Sequence, residues 1–324
     1  GVSTCTMTST YAEVKTLSIA TPIVDAGGSV TFIADSPAVA TSTITGTSSI
    51  VADGSATSTI TITILDANSN PISGTTPTFS ATDTGTTNSY NACSSTNGSG
   101  VSTCTMTSTY AEVKTLSIAS PITKADGAVT FVADSPAVAT STITGTSSIV
   151  ADGSSTSTVT ITILDANSNP ISGTTPTFSA TDTGTTNSYN ACSSTNGSGV
   201  STCTMTSTYA EVKTLSITSP IIKADGAVTF VADSPAVATS TITGTSSIVA
   251  DGSATSTVTI TILDANSNPI SGTTPTFSAT DTGTTNSYNA CSSTNGSGVS
   301  TCTMTSTKAE VKTLSIASPI TKAD

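Results

Sequence analysis

The residues able to do chemistry in this chain are few, and they recur on a fixed spacing. Seven cysteines occur, at Cys5, Cys93, Cys104, Cys192, Cys203, Cys291 and Cys302. The last six form pairs eleven residues apart, and Cys5 is the second member of a pair whose first member would precede residue 1. Between Cys93 and Cys104 lies Ser94-Ser95-Thr96-Asn97-Gly98-Ser99-Gly100, and Asn-Gly is a strong hairpin signal. A hairpin brings its flanks within disulfide reach, which requires Cα atoms no more than about 7 Å apart. Regular pairs without histidine and without a CxxC spacing read as disulfides, Cys93–Cys104, Cys192–Cys203 and Cys291–Cys302, and not as zinc ligands. Such bonds persist in oxidising compartments, so the expected location is extracellular or on a cell surface.

The rest of the reactive inventory is thin. There is no His, which removes the usual triads and most metal sites. Every Asp falls in a turn segment or beside a strand end, where it caps its own backbone. No enzymatic activity and no cofactor is expected. Asp66-Ala67-Asn68-Ser69-Asn70 offers side-chain oxygens at alternate positions, like a calcium loop, but it lacks the downstream Gly and bidentate Glu. A turn between two strands is the competing reading. Calcium at repeat junctions, held by Asp53, Asp134 or Asp152, is the other metal option. Glu112 and Lys114 stand two apart on a predicted strand and so share a face. They read as an exposed charge pair, whereas an isopeptide bond would need the lysine buried beside Asn or Asp. Asn97-Gly98-Ser99 is an N-glycosylation sequon, repeated at Asn196 and Asn295, although the turn demands the same residues. Tyr110 and its equivalents become Lys308 in the last copy. A position that accepts Lys is expected to be exposed, either as a contact between neighbours or as ordinary surface.

The elements that must position these residues repeat as well. VSTCTMTST begins at Val2, Val101, Val200 and Val299, a period of 99 residues. Residues 42–140 and 141–239 differ only at Ala56/Ser155, Ile60/Val159, Ala119/Thr218 and Thr123/Ile222. A period this long is a whole small domain and not a solenoid turn. The expected organisation is the C-terminal part of one repeat over 1–41, complete repeats over 42–140 and 141–239, and a repeat over 240–324 lacking its last strand. Within 42–140, Ser58–Leu65 alternates Thr with Ile at period two, as a half-buried strand does. Further strands are expected over 42–52, 76–82, 88–93, 100–107, 112–119 and 128–133. Their apolar positions are taken as Phe79, Val101, Met106, Val113, Leu116 and Ile118. Turns are expected at Asp53-Gly54, Asp66–Gly74, Asn97-Gly98 and Asp126-Gly127. About seven short strands between such turns predict an all-β chain of tandem immunoglobulin-like antiparallel β-sandwiches in an elongated array.

Composition and charge fit that reading. Ser and Thr make up about two-fifths of a period, and the chain has no Trp and only 4% aromatics. β-branched residues suit a pleated sheet, and each domain has a thin core. The formal net charge of −12 opposes nucleic acid and anionic membrane surfaces, which need basic patches. No run is long and apolar enough to cross a membrane.

The run Ala52-Asp53-Gly54, Thr59–Leu65, Asp66-Ala67-Asn68-Ser69-Asn70-Pro71-Ile72-Ser73-Gly74 and Pro77-Thr78-Phe79-Ser80 resembles the group 1 bacterial immunoglobulin-like (Big-1) domain. Asn97–Thr103 and Val129–Ala133 match its later turn and closing strand. The family builds the stalks of intimin- and invasin-type adhesins. The resemblance implies a stiff spacer on a cell surface. Two departures stand out: Ser69 replaces the usual Gly, and the cysteine pair is not a general family feature. Two functions follow as expectations. One is a structural component of an extracellular filament, whose partners are other copies of the chain, head to tail or also side by side. An open sheet edge at an incomplete repeat would allow strand completion there. The other is the stalk of a surface adhesin that projects a binding tip.

Overall fold

The computed structural model describes residues 1–323, and every regular element among them is a β-strand. The chain divides into two compact units: Gly1–Thr140 with Leu164–Ile171, and Ser141–Ile163 with Ser172–Asp324.

The first unit opens with β1 (Val14–Ile19) and β2 (Asp25–Thr31), an antiparallel pair. A sandwich follows, made of β3 (Thr43–Gly46), β4 (Ile50–Val51), β5 (Ser58–Thr63), β6 (Thr78–Ala81), β7 (Asn88–Tyr90), β8 (Val101–Ser108), β9 (Val113–Ser120) and β10 (Lys124–Val132). One sheet has the order β3-β5-β8-β7 and the other β4-β10-β9-β6. All pairings are antiparallel except β10 with β4. Strand alternation explains the core. Ile60 and Ile62 point inward from β5 with Ile44, Cys104 and Met106 beside them, and the facing sheet supplies Leu116, Ile118, Val129 and Phe131. The intervening Thr45, Thr61 and Thr103 are paired across one outer face, where their branched side chains suit the pleat.

Three sequence expectations are corrected here. On β9 the inward residues are Lys114, Leu116 and Ile118, whereas Val113 is 65% exposed. On β8 they are Ser102, Cys104, Met106 and Ser108, not Val101. Both corrections follow from period two, since residues an odd number of positions apart cannot share a face. Asp126-Gly127 is not a turn but a bulge inside β10, where the register against β9 shifts. Gly127 is needed there because a Cβ would lie 2.5 Å from the Ile44 carbonyl oxygen of the opposite sheet.

The second unit repeats this architecture. Thr142–Gly145, Ser157–Thr162, Val200–Ser207 and Asn187–Asn190 form one sheet. Ile149–Val150, Lys223–Val231, Val212–Ser219 and Thr177–Ala180 form the other. The same unit holds Thr241–Gly244, Ser256–Thr261, Val299–Ser306 and Asn286–Tyr288 as a four-stranded sheet. Thr276–Ala279, Leu314–Ser318 and Lys322–Ala323 form a three-stranded one.

Candidate functional site: the repeat junction

The densest polar cluster is the Asp-Ala-Asn-Ser-Asn-Pro turn. In the second unit it spans Asp264–Pro269, and Asp264 and Asn268 are fully buried. The backbone closes on itself: Asp264 N–H donates to Asn268 O (3.0 Å) and Ser267 N–H to Asp264 O (3.1 Å). Asp264 Oδ1 accepts the N–H groups of Asn266 (2.9 Å) and Asn268 (2.8 Å). Its Oδ2 accepts Asn268 Nδ2 (2.8 Å) and the N–H of Asp233 (3.0 Å). Asn268 reaches further. Its Oδ1 accepts the N–H of Ala210 (2.8 Å), and its Nδ2 donates to Thr208 O (3.0 Å). Asn266 Nδ2 donates to Ala151 O (2.9 Å).

The turn therefore belongs to one repeat, while Ala151, Thr208, Ala210 and Asp233 belong to the one before it. Three side chains form a clamp that grips backbone only. In the first unit Asp165, Asn167 and Asn169 hold Ala52, Thr109, Ala111 and Asp134 in the same way. There too Asp66 and Asn70 hold Thr10, Ala12 and Asp35. Buried carboxylate and amide groups of this kind are costly unless every lone pair and proton is used, and here the neighbouring repeat completes the set. The Asn70 side chain, helped by the backbone N–H groups of Asp35, Asn70 and Asn68, outweighs the burial that opposes it and lowers the Asp66 carboxyl to about 2.

The middle of the turn answers the Ser-for-Gly departure. Ser69, Ser168 and Ser267 have φ of 66°, 66° and 68°, in the left-handed region where glycine is at home. A serine there is tolerated because the closed turn fixes the backbone.

The carboxylates considered as calcium ligands each accept backbone N–H groups through Oδ1. Asp53 Oδ1 accepts Ser55 and Ala56 N–H, Asp152 Oδ1 accepts Ser154 and Ser155 N–H, and Asp134 Oδ1 accepts Ser135 N–H. Among the described residues no three His, Cys, Asp or Glu groups converge as a metal site would require. Cys93–Cys104, Cys192–Cys203 and Cys291–Cys302 are disulfides, with Cα–Cα distances of 4.3, 4.2 and 4.2 Å. Each staples the stretch after one edge strand to the long strand that carries the buried cysteine. The turn between them closes at Asn97 and Val101, where Asn97 N–H donates to Val101 O. Gly100 N–H donates to Asn97 O, and the left-handed residue is Gly100, φ 73°. Asn97 is exposed, and its Oδ1 accepts the N–H groups of Ser99 (2.9 Å) and Val101 (3.0 Å). Asn196 and Asn295 hold their turns in the same way.

Glu112 and Lys114 are not the exposed pair that was expected. The Lys114 side chain is fully buried, with Nζ 2.6 Å from Glu112 Oε1, while Glu112 is 22% exposed. Burial alone would raise the Glu112 carboxyl, but bonds from Lys114 and Thr84 hold it below the usual range. Alternation along β9 was the signal that could have found this lysine. No signal within one repeat showed that the Asp-Asn-Asn turn also grips the repeat before it. Tyr110 and Tyr209 stay 39% exposed, and it is the backbone on either side of each that the clamp holds.

The profile of the family described as "Invasin, domain 3" matches residues 38–134, 137–233 and 236–319. Among solved structures, the chain is similar to FdeC, an Escherichia coli adhesin, at 23% identity and a TM-score of 0.58, covering 88% of this chain and 94% of that one. It is also similar to InvD of Yersinia pseudotuberculosis, at 20% identity and a TM-score of 0.54, covering 89% and 88%. Among curated proteins none matches the sequence. At these identities the structural likeness speaks for the fold.

Proposed function

This chain belongs to the invasin domain 3 family, and from that premise we propose that it is a non-catalytic spacer in the stalk of a cell-surface adhesin, working outside the cell. The observation that carries this reading is the clamp. Asp264, Asn266 and Asn268 close their own turn and also bond the backbone of the preceding repeat, so the groups that shape the turn also fix consecutive repeats. A spacer needs such a hold, because a freely jointed chain would not keep a tip at a set distance. The disulfides suit the same place, since they last in an oxidising environment. That FdeC is described as an adhesin agrees with the proposal.

The test uses the full chain with two spin labels on non-natural amino acids, one in 141–239 and one in 240–324. A narrow distance distribution that broadens in Asn268→Ala supports the spacer. A distribution already broad in the unsubstituted chain overturns it. Sedimentation over rising concentration separates the spacer from the filament: the spacer stays monomeric, and a filament subunit grows into larger species.

A further inference from the structure

Of the buried groups, Lys114 is the least expected. It lies on the inward face of β9 in line with Leu116 and Ile118, fully buried in a thin core. Lys213 occupies the same place in the next repeat, also fully buried. A buried amine next to a carboxylate is a nucleophile with a base at hand. The question is which electrophile lies within reach.

Asn88, on β7 of the other sheet, is the candidate. Its Nδ2 donates to Thr82 O at 3.0 Å. Lys114 Nζ addresses the same oxygen at 3.5 Å, so both nitrogens are gathered at one carbonyl. Asn88 Oδ1 is buried and has no hydrogen-bond partner, and the same holds for Asn187 and Asn286. An orphaned buried amide oxygen recurring in every repeat is costly and calls for an explanation. In the second repeat Asn187 Nδ2 and Lys213 Nζ meet at Thr181 O in the same way, at 3.0 and 3.5 Å. There Glu211 Oε1 is 2.6 Å from the lysine.

We propose that Lys114 and Asn88 join in an intramolecular isopeptide bond with Glu112 as the proton-transfer group, and that Lys213, Asn187 and Glu211 do the same. Glu112 takes a proton from the Lys114 ammonium, and the free amine attacks Asn88 Cγ. In the tetrahedral intermediate Glu112 passes that proton to Nδ2 and takes one from Nζ. The Cγ–Nδ2 bond then breaks and ammonia leaves, carrying off the last proton from Glu112 as ammonium. The products are one amide and one ammonium ion from one amide and one ammonium group, so no oxidant or co-reactant is needed. The new Nζ–H keeps the hydrogen bond to Thr82 O that Nδ2 gave up. The bond ties β7 of one sheet to β9 of the other, which the disulfide does not do, because it joins the stretch after β7 to β8 of the same sheet. This inference stands apart from the spacer reading, since the bond forms or fails whatever the chain does.

The test is the intact mass of the full, unsubstituted chain, followed by tryptic mapping. The expected result is a deficit of about 17 Da, one ammonia, per bonded repeat, beyond the hydrogens lost to the disulfides. Trypsin should not cut after Lys114 or Lys213, and fragmentation should show the lysine joined to the asparagine. Asn88→Ala and Lys114→Met should each restore one ammonia. A mass lower only by the disulfide hydrogens, with normal cleavage after Lys114, overturns the proposal. So does an ammonia deficit confined to a linear peptide containing Asn97-Gly98, which would be a succinimide.

Discussion

At the residue scale, single groups carry more than their type suggests. Ser267 sits at φ 68° in the middle of the clamp turn. An L-residue there costs roughly 1–2 kcal/mol, part of which glycine returns as chain entropy. We predict that Ser267→Gly stabilises the full chain by about 0.5 kcal/mol, read from the denaturant midpoint. Gly127 behaves in the opposite way. A Cβ would meet the Ile44 carbonyl at 2.5 Å, backbone against backbone, so no rotamer can relieve it. Gly127→Ala should destabilise its repeat by about 2 kcal/mol or more, seen as faster amide exchange at Leu116 and Ile118. Asp66 gives a pH dependence with a definite sign. Its carboxyl is lowered to about 2 from 3.8, so the folded state favours the ionised form. Its contribution is present above the ordinary carboxylate range and is lost as pH falls towards 2. Exchange protection of the Asn68 and Asn70 amides should hold at pH 5 and fade between about pH 4 and 2. Protection unchanged at pH 2 would contradict that assignment.

At the element scale, the disulfide and the bulge compensate for a thin core. Cys93–Cys104 closes a short loop, with a sequence separation of 11. The chain-entropy account gives such a loop roughly 3 kcal/mol. We predict that Cys93→Ala with Cys104→Ala lowers the stability of that repeat by about 2–3 kcal/mol. It should leave the sheet order intact, because β8 is still paired with β5 and β7. The bulge in β10 lets Gly127 approach the Ile44 backbone, so the two sheets pack closely without large side chains. T-shaped pairs of Phe79 with Tyr90, Phe178 with Tyr189 and Phe277 with Tyr288, ring centroids 5.3 Å apart, bridge the sheets in each repeat.

At the scale of the whole molecule, the repeats are coupled by side chains that close a turn in one repeat and bond the backbone of the repeat before it. Asn268→Ala removes the bonds to Thr208 and Ala210 and leaves Asp264 Oδ2 short of a donor. About 2 kcal/mol should be lost from the junction. The interior of each repeat should keep its exchange protection while the Ala210 amide loses it. If the Val258 and Ile260 amides opened as well, the clamp would be part of the fold of the repeat itself and not a joint.

Much of this was legible in the sequence. The period of 99 residues, the Thr–Ile alternation of Ser58–Leu65 and the turn residues lead to tandem β-sandwiches. Short-range rules govern all three, and each repeat supplies them anew. The cysteine pairing was legible for the same reason, since both partners flank one turn. Face assignments on β8 and β9 were legible but misread, because Val101 and Val113 drew attention by hydrophobicity while alternation pointed to Ser102 and Lys114. The tertiary structure alone decided the rest. Lys114 is buried because the opposite sheet closes over it, and Asn88 of that sheet addresses the same Thr82 carbonyl as Lys114 only in the folded sandwich. Asp66 and Asn70 become a clamp only when the backbone of another repeat, some 60 residues away in sequence, comes within hydrogen-bonding distance. Alternation and turn chemistry act over a few residues, whereas the partners of a buried charge or amide are chosen by packing across sheets and between repeats.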